Sequence, residues 1–543
     1  MTMKSMTPGA LAEAVHGKYE GPLELLNKEI TAVVTDSRQT VPGCMYAAIR
    51  GERVDGHRFI PDVIDRGAML VLAEQSPEKT EQEYGTPKNG NEVPTIVVSS
   101  VLQALKDAAE YYRSCLNIPI VGIIGSVGKT STKEMVASVL GSRYRVLKTE
   151  GNFNNEIGVP MTIFRIREEH EIAVVEMGIN HFGEMHRLAK IVRPDTVVMT
   201  NIGTAHLEFL KTRDGILKAK SEVFDYFNSD GHIVLNGDDD KLSTIQEKNN
   251  VVPLRFGLHQ EGYSHPNDLY AENVEKHGLD GISCEIHMPA AGEKTAVVDA
   301  SAATGLTAGN AASAAAGVTA GENTSAAAGQ TAGDQVLNVM IPSPGIHMIY
   351  NALAGAAVGA IYGLTPEEIS RGIAGYTPIA GRFHILHEEN GRHLTIIDDC
   401  YNANPASVRE SLSVLSDAGG RRVAILGDMG ELGENERELH AEAGRFAAEK
   451  GIDALFCAGP LSAYMAEAAH SYLTSEGEKV QTKSDPTRKD RSDAPAEMDI
   501  RHFDSKEQLM AALPELMRDG DIVLVKASHF MQFDKITEAL VKL

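Results

Sequence analysis

At 543 residues the chain exceeds what a single hydrophobic core organises, so several domains are expected. Hydrophobic residues make up 43% and charged residues 23%, the balance of an ordinary globular protein. A formal net charge of -24 excludes a general nucleic-acid surface, so any anionic substrate needs locally gathered Lys, Arg, metal ions or helix N-termini.

The first residues, MTMKSMTPGALAEAVHG, lack the long apolar core of a signal peptide. A small α/β module is expected to follow. It has a helix over Ala10 to Val15, a strand over Ile30 to Val34, a turn-rich TDSRQTVPG and a second strand over Met45 to Ile49. GERVDGHRFI, a helix around Pro61 to Arg66 and a strand over Met69 to Leu72 come next. Glu74 to Pro94 reads as a polar loop and Val101 to Cys115 as a helix. A second domain opens at Ile118, where PIVGIIG runs into the helical SVGKTSTKEMVASVL. Strands over Ile172 to Glu176, Thr196 to Thr200 and His232 to Asn236, separated by helical stretches, imply a mostly parallel sheet with crossovers.

Residues 290–336 carry a twelve-residue repeat: SAATGLTAG, SAAAGVTAG and SAAAGQTAG. Three Ala/Gly/Thr units hold too few large apolar side chains to offset ordering entropy, so a surface loop between the strands GISCEIHM and VLNVMI is expected. Gly345 to Leu364 carries no Asp, Glu, Lys or Arg, yet His347, Asn351 and many Ala and Gly favour a buried core helix beginning near Tyr350 over a membrane span. A third domain begins near Ala380, with strands over Leu394 to Ile397, Val423 to Leu426, Ala454 to Cys457 and Ile522 to Val525. A polar insert covers 474–498. The five cysteines form no Cys-x-x-Cys pair, which fits a reducing cytoplasm.

Gly125-Ser126-Val127-Gly128-Lys129-Thr130-Ser131 stands between an apolar strand and a helix, the context of a phosphate loop. Glycines let backbone N–H groups face phosphate oxygens, and the helix N-terminus adds positive potential. Lys129 supplies a point charge, and the Thr130 hydroxyl suits Mg²⁺. Ile123 occupies the first Gly position of the longer pattern, so the match is to the short G-x-x-G-K-T form. Glu176, His206 and Lys220 lie at or beyond strand ends, where ligands collect in open α/β sheets. Glu176 and His206 could join Thr130 in holding Mg²⁺, with Mn²⁺ as the alternative a histidine ligand tolerates. Each alone has a bland reading: a solvated Glu, a structural His, a helix-surface Lys.

GSVGKTSTKEM, GNFNNEIGVP, VVEMG, NIGTAHLE, AKSEVF, PGIHMIYNALAGAAV, GRFHIL and IIDDCYNANPAS occur in this order and closely resemble the Mur ligases. DDCYNANP, TDSRQTVPG, GERVDGHRFI and LGDMGELGENERELH resemble the member that adds D-alanyl-D-alanine to UDP-N-acetylmuramoyl-tripeptide. The resemblance implies an α/β protein of three domains: a UDP-substrate domain over 1–117, a central ATPase domain over 118–379 and a Rossmann-like domain over 380–543 that closes on ATP. It implies phosphorylation of the tripeptide carboxylate by ATP, then attack by the D-Ala-D-Ala amine on the acyl phosphate. It makes Lys220 carbamylated and, with His206, part of a second Mg²⁺ site. Asn351 resembles an adenine contact, Arg382 a phosphate contact and Asp399 a ribose contact. Ser37 and Arg38 resemble part of the UDP site, and Asn155 part of the muramoyl-peptide site. Tyr401, Asn402 and Asn404 are expected along the dipeptide pocket, with turn or cap roles as the alternative for the two asparagines. Val127 stands where the family's loop commonly has Asn, and Ala527 and His529 where it often has Gly and Arg. A cytoplasmic monomer that neither binds nucleic acid nor inserts in membranes is the expected form. The competing readings are another ligase of the superfamily, a P-loop ATPase without an amino-acid acceptor, and an inactive scaffold.

Overall fold

The computed structural model describes residues 2–51, 54–90, 92–203, 207–258, 267–289, 335–388, 391–482 and 498–543. Their strands form three sheets in chain order, each mostly parallel, as the alternation of strands and helices predicts.

The first sheet runs Lys18–Glu20, Thr95–Val97, Leu70–Ala73, Met45–Ala47, Val33–Val34, with only the Lys18–Glu20 edge antiparallel. The stretch expected to be a loop from 74 to 94 contains a helix, Pro77–Tyr84. Its start signal is local: Ser76 accepts from Lys79 N–H, and Pro77 sits in the first turn, where its missing donor does no harm. The charged edge strand Lys18–Glu20 has no apolar alternation and is not legible from the sequence.

The nine-stranded central sheet places Ile120–Ile124 between Thr196–Met199 and Ile172–Glu176. Val146–Lys148 closes one edge, beside Ile172–Glu176. On the other side His232–Asn236, Leu254–Leu258 and Leu269–Lys276 continue in parallel, and Ile282–Met288 and Gln335–Ile341 add an antiparallel edge. Strand order thus reverses around Ile120–Ile124, which makes its carboxyl end the switch point where such sheets bind ligands. The expected strand pair flanking the repeat is present, with Met288 opposite Gln335. The repeat itself, over 290–334, lies outside the described residues.

One face of this sheet is covered by helix Lys129–Leu140, which packs on His347–Ile361 and Pro366–Ala374. The charge-free helix starts at His347, three residues before the expected Tyr350. Its small residues serve close packing: a Cβ on Gly359 would meet Val139 and Ile369 at 2.9 Å. No helix among the described residues is long and apolar enough to cross a membrane. On the other face, helix Val101–Cys115 ties the first sheet to the second. The buried Arg113 donates to Val192 O at 2.9 Å and pairs with Asp195, which accepts from Ile120 N–H at 2.8 Å.

The third sheet runs His384–His387, Thr395–Asp398, Ile522–Lys526, Arg422–Gly427, Ala454–Ala458, Asp499–Phe503, parallel except at its first edge. Its inner strands match the apolar runs in the sequence. Its two edge strands mix polar and apolar residues without a clear alternation and were not expected. Helix Ala463–Thr482 runs nine residues into the expected insert at 474–498, and 483–497 lie outside the described residues.

Candidate active site

The site begins where buried strand Ile120–Ile124 ends. A Cβ at Gly125 would lie 1.9 Å from Thr200 Oγ1, so only glycine fits there. Gly128 adopts φ +80 and caps helix Lys129–Leu140. The loop is shaped from outside by the chain after Thr196–Met199. Thr200 Oγ1 donates to Val127 O at 2.7 Å, and Asn201 Nδ2 donates to the same oxygen at 3.0 Å. Asn201 Oδ1 accepts from Val127 N–H at 2.9 Å, so Asn201 holds both sides of this peptide. The Val127 side chain therefore leaves loop geometry to its neighbours.

Lys129 Nζ donates to Gly125 O at 3.1 Å and to Ser126 O at 3.4 Å. Lys220 is not a helix-surface lysine: it is 1% exposed, and its Nζ donates to the same Gly125 oxygen at 2.9 Å. Burial first, and the neighbouring Lys129 charge second, hold the Lys220 amine well below the ordinary lysine range. Burial also lowers Lys129, opposed by the charge of Glu176 and helped by that of Arg382.

Glu176 ends its strand with 1% exposure. Its Oε1 accepts from Asn154 Nδ2 at 2.7 Å and its backbone N–H donates to Thr149 Oγ1 at 3.0 Å. Its Oε2 is buried with no hydrogen-bond partner among the described residues, and so is the Ser126 hydroxyl. Buried polar atoms are rarely left unpaired, so both are poised for a ligand. Thr130 is 6% exposed on the same wall, and its hydroxyl with the Glu176 carboxylate forms the oxygen donor set a hard divalent cation takes.

A cavity of about 1480 Å³ separates this wall from the third sheet. Of the residues singled out in the sequence, Ser126, Val127, Gly128, Lys129, Thr130, Ser131, Asn155, Glu176, Asn351, Arg382, Asp399, Tyr401, Asn402 and Asn404 line it. Gly125 and Lys220 stand just behind the lining. Ser37 and Arg38 are not among the lining residues; they sit on the exposed turn Ser37–Gln39, where Arg38 pairs with Asp36 and holds that carboxyl at about 2. His206 lies outside the described residues.

Several expected binders are already engaged. Asn351 accepts from Thr132 Oγ1 at 2.7 Å. Asn155 Oδ1 accepts the Ile157 and Gly158 N–H groups at 3.1 and 2.9 Å, a turn just ahead of helix Gly158–Ile163. Asn404 caps helix Pro405–Ser416 in a reciprocal box with Ser407, and Asn402 Oδ1 accepts from Ala403 N–H. The Arg382 guanidinium lies 4.1 Å from the Tyr401 ring centre, and His529 lies 5.1 Å from the same ring. Asp399 accepts from Ser411 Oγ at 2.7 Å and is ion-paired with Lys526, itself 2% exposed. Lys526, Ser411, Asn154 and Asn201 line the cavity without having been singled out in the sequence. Asn154 and Asn201 sit inside quoted motifs, but nothing in a motif string tells which of two adjacent asparagines faces a carboxylate.

Residues 29–113 match the Mur ligase family catalytic domain, 123–307 the Mur ligase middle domain and 381–529 the Mur ligase glutamate ligase domain. The chain is 30% identical to the UDP-N-acetylmuramoyl-tripeptide–D-alanyl-D-alanine ligase of Bacillus subtilis, over 98% of this chain and 97% of that one. It is 28% identical to the enzyme of the same name from Escherichia coli, over 99% of each chain. A crystal structure of MurF from Acinetobacter baumannii superposes with a TM-score of 0.76 at 26% identity, covering 100% of both chains. The MurF ligase of Thermotoga maritima in complex with ADP shares the fold, with a TM-score of 0.67 at 23% identity over 94% of this chain and 97% of that one. With three successive family domains, full-length relatives and a phosphate loop facing a third α/β sheet across one cavity, the chain belongs to the Mur ligase family.

Proposed function

We propose that this protein joins D-alanyl-D-alanine to UDP-N-acetylmuramoyl-tripeptide with cleavage of ATP to ADP and phosphate. The observation that carries this reading is the shared cavity: a phosphate loop with Lys129, backed by the buried Lys220, and a half-satisfied buried carboxylate face Arg382, Tyr401 and Asp399 of the third sheet. Full-length similarity to relatives of that name supports the substrate assignment.

The chemistry follows from the reactants. A carboxylate is a poor electrophile, so its oxygen first takes the γ-phosphoryl group as the bond to ADP breaks. The dipeptide amine then attacks the acyl carbon, the proton leaves the nitrogen, and phosphate departs from the tetrahedral intermediate. Both reactants are anionic, and the backbone N–H groups of the phosphate loop, Lys129 and Arg382 offset their repulsion from two sides. Asn351 is assigned to adenine and Asp399 to ribose. Ser37, Arg38 and Asn155 are assigned to the UDP-muramoyl-peptide, and Tyr401, Asn402 and Asn404 to the dipeptide. Mg²⁺, or Mn²⁺ in its place, supplies positive charge at the outer phosphates when bound. Thr130 and Glu176 fit a first ion, Glu176 through its unpartnered Oε2. A second ion is assigned to His206 and carbamylated Lys220. The depressed Lys220 amine suits that modification: its lone pair attacks CO₂, a C–N bond forms, and loss of one proton leaves an anionic carbamate. All five cysteines are free thiols, which fits a reducing cytoplasm.

The test is phosphate release by purified protein with ATP, Mg²⁺ and UDP-muramoyl-tripeptide, with D-Ala-D-Ala set against glycine, glutamate and no acceptor. Release only with D-Ala-D-Ala is expected. Release without any acceptor identifies a bare ATPase, and a preference for glutamate a different ligase.

A further inference from the structure

Glu176 can serve a cation only if one of its oxygens is kept free and correctly aimed. We infer that Asn154 is the positioning residue that does this, an inference that rests on the assignment of Glu176 as a metal ligand.

Asn154 Nδ2 donates to Glu176 Oε1 at 2.7 Å and to Asn152 Oδ1 at 2.7 Å. Both amide hydrogens are thus committed to oxygens, which fixes the orientation of the amide. Oε1 is occupied, and Oε2 is left buried with no partner among the described residues. The carboxylate is 1% exposed, so water cannot take over the role of Asn154 at no cost.

The backbone on both sides is fastened to the same group. Gly178 N–H donates to Asn154 O at 2.8 Å, two residues beyond Glu176. A Cβ at Gly178 would lie 3.2 Å from the Asn154 amide, tighter than ordinary packing. Glycine at 178 therefore lets the amide approach. Behind Glu176, Thr149 accepts its N–H and is fully buried. Thr149 O in turn accepts from Lys133 Nζ at 2.7 Å, a fully buried lysine of the phosphate-loop helix beside Glu134 at 2.9 Å. The phosphate-loop helix, the strand edge and the GNFNNEIGVP loop thus converge on one carboxylate, and Asn154 is the member that touches its oxygen. The neighbouring Asn155, named from the motif, spends its side-chain oxygen on the Ile157 and Gly158 N–H groups instead.

Hydrogen-bond partners of metal ligands typically change metal affinity or activity by about 10–100-fold when removed. The experiment titrates Mn²⁺ alone into full-length, nucleotide-free protein and follows free Mn²⁺ by electron paramagnetic resonance. Asn154→Ala should weaken Mn²⁺ binding by about tenfold or more. Gly178→Ala, which only displaces the amide, should weaken it by less. In ligation assays the same variants should need correspondingly more Mg²⁺ for half-maximal rate, with the KM for D-Ala-D-Ala little changed. Gly178→Ala carries the test if Asn154→Ala fails to fold. Folded Asn154→Ala with wild-type Mn²⁺ affinity, or with a rate that extra Mg²⁺ does not raise, overturns the inference. Glu176→Gln with wild-type Mn²⁺ affinity instead overturns the ligand assignment beneath it.

Discussion

On the wall formed by the central sheet, Glu176 Oε2 and Ser126 Oγ are buried without hydrogen-bond partners among the described residues, and Lys129 and the buried Lys220 share the Gly125 oxygen. On the wall formed by the third sheet, Asp399 has both Ser411 and Lys526, Asn404 has its capping box, and Tyr401 lies beside Arg382 and His529. The first wall is electrostatically incomplete and needs a ligand to become complete. The second is satisfied by itself, so its residues hold a surface in shape and exchange partners only when substrate arrives. On the proposed reading, cation chemistry and most phosphate contacts belong to the first wall, while the second adds Arg382 and orients nucleotide and acceptor.

If the first wall carries the chemistry, its loss is the largest. Lys129→Ala should lower pentapeptide formation by about 10²–10³-fold or more while circular dichroism shows the wild-type fold. Near-normal turnover would move the phosphate site elsewhere. On the second wall the largest effect is on stability rather than chemistry. Lys526→Met leaves the buried Asp399 carboxylate with the Ser411 hydroxyl but no cation, and should destabilise the folded state by about 3–5 kcal/mol in denaturant titrations. A neutral result would show that Asp399 is free to meet ribose without that partner.

Lys220 sharpens the contrast through pH. Its amine lies well below the ordinary 10.5 when folded, so across that window the unfolded chain binds the proton and the folded chain does not. Stability therefore rises with pH through the window. In bicarbonate-free buffer, Lys220→Met should flatten that rise in melting temperature and remove most ligation, which bicarbonate cannot restore. The smallest effect belongs to a cap: Asn404→Ala should cost about 1 kcal/mol of stability. A loss of activity far beyond that would give Asn404 the dipeptide contact as well.

The same division explains what was legible in the sequence. Strand Ile120–Ile124 and helix Lys129–Leu140 follow from apolar pattern and glycine placement alone, because local chemistry dictates a phosphate loop. The Lys18–Glu20, His384–His387 and Asp499–Phe503 edges were not legible, since a partly exposed strand without clear alternation is specified by its neighbour in the sheet rather than by its own pattern. Helix Pro77–Tyr84 was hidden by polar composition, although Ser76-Pro77 announces its start. Within the site, predicted strand ends and the family resemblance singled out Glu176 and Lys220 but gave neither the Lys220 burial nor the choice of Asn154 over Asn155. Those depend on which oxygen lies within 3 Å in space, and sequence distance carries no such information. Lys526 was missed for the same reason, since its partner Asp399 is 127 residues away.

The central claim is that the tripeptide carboxylate is phosphorylated in this cavity before the amine attacks, and oxygen labelling reads that step directly. UDP-muramoyl-tripeptide carrying ¹⁸O in its terminal carboxylate, incubated with ATP, Mg²⁺, D-Ala-D-Ala and the protein, should yield pentapeptide together with inorganic phosphate that has gained one ¹⁸O from that carboxylate. Phosphate free of label, released alongside pentapeptide or without it, would contradict the acyl-phosphate route and the reading of the cavity built on it.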